Sequence, residues 1–454
     1  MATAQTYTDI ATFTDDSPNW TTLVQGLDGN LYGTTGGGSS SRGTVFRMTP
    51  EGAVSTLYSF CAQSGCPDGS NPAAGLVLAS DGNFYGTTEA GDANGNGTIF
   101  SVTSNGVLTT LHNFNATTDG YTLDGAPLIQ GSDGNFYGNT FRGGTSDAGT
   151  IFKMTRSGTF TVLHMNCSET NCTDGSGGSG TPVQGNNGIF YGTMFDGGTN
   201  SAGTVYKMTP AGQFTTLYNF CSQANCSDGE FPISLVRATN GNFYGTTHNR
   251  GGNTRCGQNG CGTVFQITPS GTLTTIYRFC SKTGCSDGAN PWAGLVQGSD
   301  GAFYGTTSGG GIKSGGTIFR ITAKGVLTTL YSYDNSFTEA AGDASIMQAT
   351  NGIFYGSTDF IGTFNGAIYS LNTGLAPFVS LGRSSGKVGQ SLRILGQGLS
   401  AATGMAFNGT PAAFTISSDT YLTATVPAGA TTGFVTVSTS GGTLASNVKF
   451  VIMP

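Results

Sequence analysis

The chain has 454 residues, a net charge of −7 and 75 glycines, and it combines 9% charged with 11% aromatic residues. Disordered chains usually pair few aromatic residues with a high net charge, so this composition indicates a folded protein rich in turns. The sequence contains no run of Lys or Arg, which argues against nucleic acid and anionic membrane surfaces as partners. It also lacks an apolar run near the roughly 18 residues that a membrane-spanning helix needs.

A four-part repeat occurs seven times before residue 373. Its parts, in chain order, resemble "AGLVQG", "FYGTT", "GTIF" and "LTTLYSF", and they are called strands A, B, C and D below. Each part is short and β-branched or aromatic, and turn segments such as "SDGN" and "TPSG" separate the parts. Four strands in each of seven repeats predict an all-β fold, a seven-bladed β-propeller over residues 1–373. The B strands carry Tyr32, Tyr85, Tyr137, Tyr191, Tyr244, Tyr304 and Tyr355.

The last repeat lacks a D strand after its C strand. The N-terminal segment "YTDIATF" matches a D strand in register, with Tyr7, Ile10 and Phe13 at the apolar positions. We therefore expect the N-terminal strand to be the outer strand of the seventh blade. This pairing would close the ring and remove an exposed sheet edge.

The pattern changes after the repeats. From Pro377 the sequence consists of short alternating strands and turns, which predicts an Ig-like β-sandwich over residues 377–454.

The ten cysteines form five C-x4-C pairs. Zinc sites usually use C-x2-C spacing and redox motifs use C-x-x-C, so local disulfides in an oxidising, extracellular compartment fit this spacing better. We expect no metal and no cofactor, although a zinc site built from two loops that meet stays open as an alternative. The start "MATAQTYTD" is expected to be that of a mature chain whose signal peptide was removed. The pairs are Cys61 and Cys66, Cys167 and Cys172, Cys221 and Cys226, Cys256 and Cys261, and Cys280 and Cys285.

Two resemblances follow from these motifs. Through "DGNFYGTT…GTIF…LTTLYSF" the repeats resemble the tandem repeats of the secreted choice-of-anchor GloVer family, which implies an extracellular bacterial protein and brings no catalytic residues. The tail resembles IPT/TIG domains, which implies an accessory or adhesive module. The second resemblance depends on "GKVG" at 386–389, "ILGQGL" at 394–399 and "VPAGATTG" at 426–433.

The loops predict which end of the fold carries function. A–B and C–D turns are short and uniform, whereas B–C and D–A loops vary in length and content. Variable loops on a rigid scaffold usually carry function, so we call their end the variable face. Departures from the repeat there predict ligand-binding residues, namely Trp20, Trp292, Phe231, Phe141, Phe195, Arg142 and Arg250. They also give candidate catalytic residues, namely Glu89, Asp196, Asp359 and His248.

Structural roles compete with these assignments. The tryptophans could pack on neighbouring blades, and the loop carboxylates could be solvated side chains. His112 and His164 replace the tyrosine of a D strand, which favours a structural role. An aspartate precedes glycine in four cysteine loops, and turn capping explains it; these residues are Asp68, Asp174, Asp228 and Asp287.

Aromatic rings and carboxylates together suit a sugar, because rings stack on pyranose faces and carboxylates accept from hydroxyls. The sequence therefore favours a secreted propeller that binds, and could also process, a carbohydrate polymer or cell-surface glycan. We expect a monomer without a membrane span. A glycoside hydrolase or polysaccharide lyase is one alternative, and a structural or protein-binding surface component is another. The fold itself does not decide among them.

Overall fold

The computed structural model describes residues 5–18, 21–37, 42–72, 74–92, 94–121, 127–334, 345–358 and 366–453. These residues fold mainly into β-strands. No helix among them is long and apolar enough to cross a membrane. The helices of this part of the chain are short 3-10 turns at Thr170–Cys172, Ala224–Cys226, Gly257–Asn259, Thr283–Cys285 and Leu399–Ala401.

The repeats form seven four-stranded antiparallel sheets, each with its strands in the order A-B-C-D. Sheets 1 to 3 comprise Val24–Gln25, Leu31–Thr35, Thr44–Met48 and Val54–Ser59; Val77–Leu78, Phe84–Thr87, Thr98–Val102 and Leu108–Asn113; and Ile129–Gln130, Phe136–Asn139, Thr150–Met154 and Phe160–Met165. Sheets 4 and 5 comprise Ser176–Gln184, Phe190–Asp196, Thr204–Met208 and Phe214–Asn219; and Glu230–Arg237, Phe243–Asn249, Thr263–Ile267 and Leu273–Arg278. Sheets 6 and 7 comprise Val296–Gln297, Phe303–Thr307, Ser314–Ile321 and Leu327–Asp334; and Met347–Gln348, Phe354–Thr358, Ala367–Asn372 and Thr6–Thr12.

The N-terminal strand completes sheet 7. Thr6–Thr12 pairs antiparallel with Ala367–Asn372, which confirms the predicted pairing of the N-terminus with the last repeat. The ring of Tyr7 stacks on Tyr331 of sheet 6 at 3.8 Å and on Tyr369 of sheet 7 at 5.1 Å. This strand therefore contributes both hydrogen bonds and apolar packing to the last repeat.

The B-strand tyrosines join neighbouring sheets. Each is buried, and six of them stack on the B-strand phenylalanine of the next sheet, as Tyr85 does on Phe136 at 4.0 Å. In the "DGN" turns the aspartate side chain accepts a hydrogen bond from the tyrosine four residues later, as Asp81 does from Tyr85 at 2.8 Å. The tyrosines are packing residues, as their recurrence in every repeat indicates.

A second connection runs through glutamines of the A strands. The Gln184 side chain accepts a hydrogen bond from Ser132 N of the preceding sheet at 2.8 Å and donates one to Gly188 O in its own A–B turn at 3.0 Å. The repeat pattern alone does not reveal these hydrogen bonds between neighbouring sheets. Five of the seven sheets have such bonds, through Gln25, Gln130, Gln184, Gln297 and Gln348.

The C-terminal tail forms two further sheets around a core of its own, which includes Leu392, Phe407 and Phe450. One sheet contains Ser380–Leu381, Ser391–Leu395, Tyr421–Thr425 and Phe414–Ile416. The other contains Ser385–Gly386, Gly442–Ile452, Gly433–Thr439, Ala402–Phe407 and Thr410–Pro411.

The tail lies against the A–B turns of the repeats. Thr420 Oγ1 donates a hydrogen bond to Leu27 O at 2.7 Å, and Gln397 Nε2 donates one to Thr350 Oγ1 at 3.0 Å. Leu27 belongs to the A–B turn of sheet 1 and Thr350 to that of sheet 7. The tail therefore contacts the end of the fold opposite the B–C and D–A loops.

Candidate functional site

Aromatic side chains from sheets 3 to 6 meet at the variable face. Phe195 lies at the centre, with its ring stacked on Phe231 at 4.7 Å and 7°. Its ring centroid is 5.9 Å from that of Trp292 and 6.0 Å from that of Phe141. All four side chains are half-buried. We call these residues the aromatic cluster; they are four of the seven predicted ligand-binding residues, and they come from four consecutive repeats.

Phe231 has an unusual backbone conformation. Its φ is +59°, in the left-handed region that bulky side chains rarely adopt. At the equivalent positions of other repeats the backbone also has positive φ, but the residues are Asn71, Gly177 and Asn290, which tolerate this conformation. The backbone N–H at each of these positions bonds to a carbonyl two residues before the C strand of the preceding sheet, as Phe231 N does to Ala202 O at 3.0 Å. The repeat thus imposes the conformation, and among these four described loops only that of Phe231 places a large aromatic ring there.

Phe141 depends on a glycine of the next repeat. A Cβ atom at Gly177 would lie 2.8 Å from Cε2 of Phe141, too close for any other residue in that conformation. The local glycines of sheet 4 therefore allow the Phe141 ring to lie against the backbone and approach Phe195.

His248 adjoins the aromatic cluster through Trp292. Their ring centroids are 4.4 Å apart and nearly perpendicular, and Nδ1 of His248 lies 3.3 Å from the carbonyl oxygen of Pro291. Burial lowers the pKa of His248 below its ordinary value of 6.5. The imidazole is therefore neutral at pH 7, and a proton on Nδ1 lets it donate to Pro291 O.

The two candidate arginines have acidic neighbours. Arg250 Nε donates to Glu230 Oε2 at 3.0 Å, which links the B–C loop of sheet 5 to its A strand. Arg142 lies 3.8 Å from Asp147 and 6.0 Å from the centroid of the Phe141 ring. The sequence identifies both arginines as departures from the repeat but does not reveal these pairings, because they depend on how each loop folds back.

Two of the candidate catalytic carboxylates, Glu89 and Asp196, lie in the described part of the chain. Glu89 follows the B strand of sheet 2, and its N–H donates to Asn71 O at 3.0 Å. Asp196 ends the B strand of sheet 4, is exposed, and accepts from the N–H of Gly197 at 2.7 Å. These two residues belong to repeats that are not consecutive. Asp359, like Trp20, lies outside the described residues.

The cysteine loops are closed by disulfides within each C-x4-C pair. The Cα atoms of a pair lie 4.0 to 5.3 Å apart. The partners are those that the spacing predicts, so each bridge closes its own loop and none links two loops. The bridges join Cys61 to Cys66, Cys167 to Cys172, Cys221 to Cys226, Cys256 to Cys261, and Cys280 to Cys285.

The cysteines of these loops have an unusual backbone conformation. φ is +61° at Cys61 and +48° at Cys66, in the left-handed region that residues other than glycine rarely adopt. Both cysteines are also left-handed in the loops at 167–172, 221–226 and 280–285. The chain must reverse sharply to bring Cα atoms five positions apart to within 4.2 Å, as it does between Cys61 and Cys66. Cys256 lacks this conformation, with φ of −88°, and its pair has the widest Cα separation, 5.3 Å.

Aspartates complete four of these loops, and three of them, Asp174, Asp228 and Asp287, are buried. In the last one Asp287 accepts from Tyr277 Oη at 2.7 Å and from Ser281 N at 2.9 Å. His164 takes the place of that tyrosine in sheet 3, where its Nε2 lies 3.1 Å from Asp174. His112 makes the same kind of contact in sheet 2, with its Nε2 at 3.0 Å from Asp119, and these contacts fit the structural roles that the sequence favours.

Two cysteine loops do meet. The sulfur atoms of Cys256, Cys261 and Cys280 lie within 4.8 Å of one another, in the connections on either side of the outer strands of sheet 5. Each of the three cysteines is in a disulfide. The disulfide interpretation is therefore favoured over the zinc alternative.

A cavity lies at the opposite end, between the repeats and the C-terminal tail, and is called the main cavity below because it is larger than a second cavity that adjoins it. It has a volume of about 820 Å³ and is lined by the A strands of sheets 2 to 5, which include Arg237, by Leu295 directly before the A strand of sheet 6, and by tail residues such as Arg383. A cavity of about 270 Å³ adjoins it and is lined by A strands of sheets 1, 2 and 7. Sequence reasoning missed both, because it assigned no function to the uniform A–B turns.

Comparison with known structures shows a propeller-like fold. Virginiamycin B lyase from Staphylococcus aureus matches with a TM-score of 0.52 and 12% identity, over 81% of this chain and 99% of that one. An oligogalacturonate lyase in complex with manganese matches with a TM-score of 0.49 and 11% identity, over 82% of this chain and 97% of that one. At such identities the likeness concerns the fold alone. No curated protein shows significant similarity to the chain.

A family model describes the repeat region itself. The model of the Gloeobacter/Verrucomicrobia repeat matches residues 1–173 and again residues 166–370, which together exceed half of the chain. The match falls on the repeats that build sheets 1 to 7. The chain therefore belongs to the Gloeobacter/Verrucomicrobia repeat family.

Proposed function

We propose that the protein is an extracellular seven-bladed β-propeller, followed by an Ig-like domain of IPT/TIG type at residues 377–454, whose variable face binds carbohydrate. Residues in or directly before the A strands of all seven sheets line two adjoining cavities, which supports a ring of seven sheets around one axis. The pairing of Thr6–Thr12 with the last repeat supports closure of that ring by the N-terminus. Five bridged cysteine pairs fit an extracellular location.

The observation that carries the binding proposal is Phe231. A phenylalanine in the left-handed region carries strain of order 1–3 kcal/mol, and such strain persists mainly where function requires it. Asn or Gly in the same place would avoid the strain, as other repeats do. The strained residue completes the aromatic cluster with Phe195 and Trp292 at the variable face. Aromatic rings beside hydrogen-bonding groups such as His248 and Glu230 are the means by which proteins bind sugar rings.

We assign binding rather than hydrolysis because the observation that carries the proposal is a cluster of aromatic rings and not a pair of carboxyl groups. Glycosidases need two carboxyl groups about 5–5.5 Å or 6.5–9.5 Å apart. Glu89 and Asp196 belong to repeats that are not consecutive, and Glu230 is engaged by Arg250. We therefore assign carbohydrate binding to the aromatic cluster and treat turnover as an outcome to be measured.

The test compares Phe231→Asn and Trp292→Ala with the wild type on a polysaccharide panel, scored for retention and for reducing or unsaturated products. Each substitution installs a residue that another repeat has at that position, Asn71 or Ala73. We expect several-fold weaker retention and, for Phe231→Asn, an unchanged or higher Tm because the strain is removed. Phe434→Ala removes an exposed ring of the tail and is the matched control. Normal retention by both variants would overturn the proposal and favour a structural or protein-binding surface.

A further inference from the structure

Two of the seven A strands lack the glutamine that, in the other five, forms the hydrogen bonds to the preceding sheet described above. Where five sheets have glutamine, sheet 2 has Leu78 and sheet 5 has Arg237. The guanidinium of Arg237 is partly buried in the main cavity, where Nη1 lies 3.3 Å from Gln184 O and 3.4 Å from Ser384 Oγ of the tail. A cation thus replaces a neutral amide at a place where the repeats and the tail enclose a cavity.

The tail contributes two more cations to the same lining. Arg383 donates to Ser391 O at 2.6 Å, and its Nε is buried and has no hydrogen-bond partner within the described residues. Lys449 also lines the cavity. Among the described residues that line this cavity, Asp133 alone carries a carboxylate, and its Oδ2 accepts from Tyr137 and from Asn135, at 2.7 and 2.8 Å.

The electrostatics of these arginines are unfavourable without a counter-charge. Desolvation lowers the pKa of Arg237 and of Arg383, yet guanidinium groups stay protonated at neutral pH. Neither arginine forms an ion pair with any side chain of the described ranges. Withdrawing a cation from water without a partner is costly, and an anion in the cavity would offset that cost. The charge of the cavity lining is therefore opposite in sign to the net charge of the whole chain, which is −7.

We propose that the cavity between the A strands and the C-terminal tail binds a small organic carboxylate through Arg237, Arg383 and Lys449. The planar guanidinium fork matches the geometry of a carboxylate. A volume of about 820 Å³ is that of a typical small-molecule site. Apolar side chains in or directly before the A strands complete the lining and suit a carbon skeleton rather than an inorganic ion; they are Val77, Ile129, Val183, Leu235 and Leu295.

Calorimetric titration of the full chain tests this proposal with glucuronate and glucose, a ligand pair that differs in the carboxylate, and with inorganic phosphate as a third arm. In the Trp292→Ala variant, which removes the variable face as a competing sugar site, we expect glucuronate to bind and glucose not to bind. Arg237→Gln, which installs the residue of the other sheets, should weaken glucuronate binding at least tenfold without lowering the Tm. Arg278→Gln removes an exposed guanidinium that does not line the cavity and should bind as the wild type does.

Several outcomes would overturn the proposal. These are no heat with glucuronate at millimolar concentration, equal binding of glucose, binding of phosphate alone, or unchanged binding by Arg237→Gln. If Arg237→Gln fails to fold, Lys449→Met, on an exposed side chain of the tail, should still weaken binding several-fold. Trp292→Ala should leave glucuronate binding intact; a loss there would assign it to the variable face instead.

Discussion

The side-chain oxygen of Gln25 accepts a hydrogen bond from Thr350 N at 3.0 Å, which connects the first sheet of the repeats to the last. Gln25 is 7% exposed, and its Nε2 donates to Gly29 O in its own turn at 3.3 Å. The same geometry joins consecutive sheets elsewhere, as between Ser132 and Gln184. Sheets 7 and 1 are therefore joined as consecutive repeats are, although 325 positions separate the two residues.

Replacing Gln25 by Leu tests this connection between sheets 7 and 1, which we call the seam. Leu78 shows that an A strand accommodates leucine at this position, so the variant should fold. It leaves the buried N–H of Thr350 without a partner, and we expect a loss of about 1–3 kcal/mol in the free energy of unfolding, measured in urea. Gln184→Leu, away from the seam, is the control and should cost less, because Ser132 is exposed and its N–H can bond to water instead. A seam variant as stable as the wild type would contradict closure.

Deleting residues 1 to 14 tests the same closure from the N-terminal strand. The deletion removes the hydrogen bonds of Thr6–Thr12 with Ala367–Asn372 and exposes an apolar sheet edge. It also removes the Tyr7 ring from between Tyr331 and Tyr369. We expect aggregation or a large fall in Tm, followed by light scattering and differential scanning calorimetry. A shortened chain that melts with the full chain would show that the strand is dispensable.

The strands are predictable from the sequence because every repeat has the same pattern of residues. The seventh D strand is predictable because "YTDIATF" matches that pattern. The aromatic cluster was predictable in part, since Phe195 and Trp292 depart from their repeats at the variable face. The left-handed backbone of Phe231 was not predictable from the sequence. It becomes evident only when the backbone conformation of Phe231 is compared with that of Asn71 and Asn290, the equivalent residues of other repeats. The cavity at Arg237 was also missed, because the sequence does not say where the tail packs.

The disulfides give a covalent prediction. Mass spectrometry of a non-reduced digest should find each cysteine linked to the partner five positions away, as in Cys61 with Cys66, Cys256 with Cys261 and Cys280 with Cys285. Links between the last two, neighbouring pairs would instead show that the sulfur atoms exchange partners where the loops meet. Bound zinc or free thiols throughout would contradict the interpretation of these loops as stapled.

His248 predicts a dependence of stability on pH. Its pKa in the folded chain lies below the ordinary value of 6.5, so the unfolded chain binds the proton first as the pH falls. Stability should therefore decrease as the pH drops below about 6.5, and His248→Gln should remove this part of the decrease. We expect the Tm difference between pH 7.5 and pH 5.5 to be smaller for the variant. If the Tm falls equally in the wild type and in His248→Gln, then His248 is not a source of the acid sensitivity.

Ending the chain after Thr373 tests whether the C-terminal tail folds separately. The tail has its own core, whose buried members run from Val379 to Phe450 without a residue of the repeats, so the repeat region should stay soluble and folded. Loss of the Thr420–Leu27 and Gln397–Thr350 hydrogen bonds should lower the Tm by only a few degrees.

The shortened chain also tests the two binding proposals. Because Arg383 and Lys449 are removed with the tail, glucuronate binding should disappear while polysaccharide retention at the variable face persists. An aggregated product would show that the tail and the repeats share a folding unit, and loss of both binding activities in a folded product would contradict two independent sites.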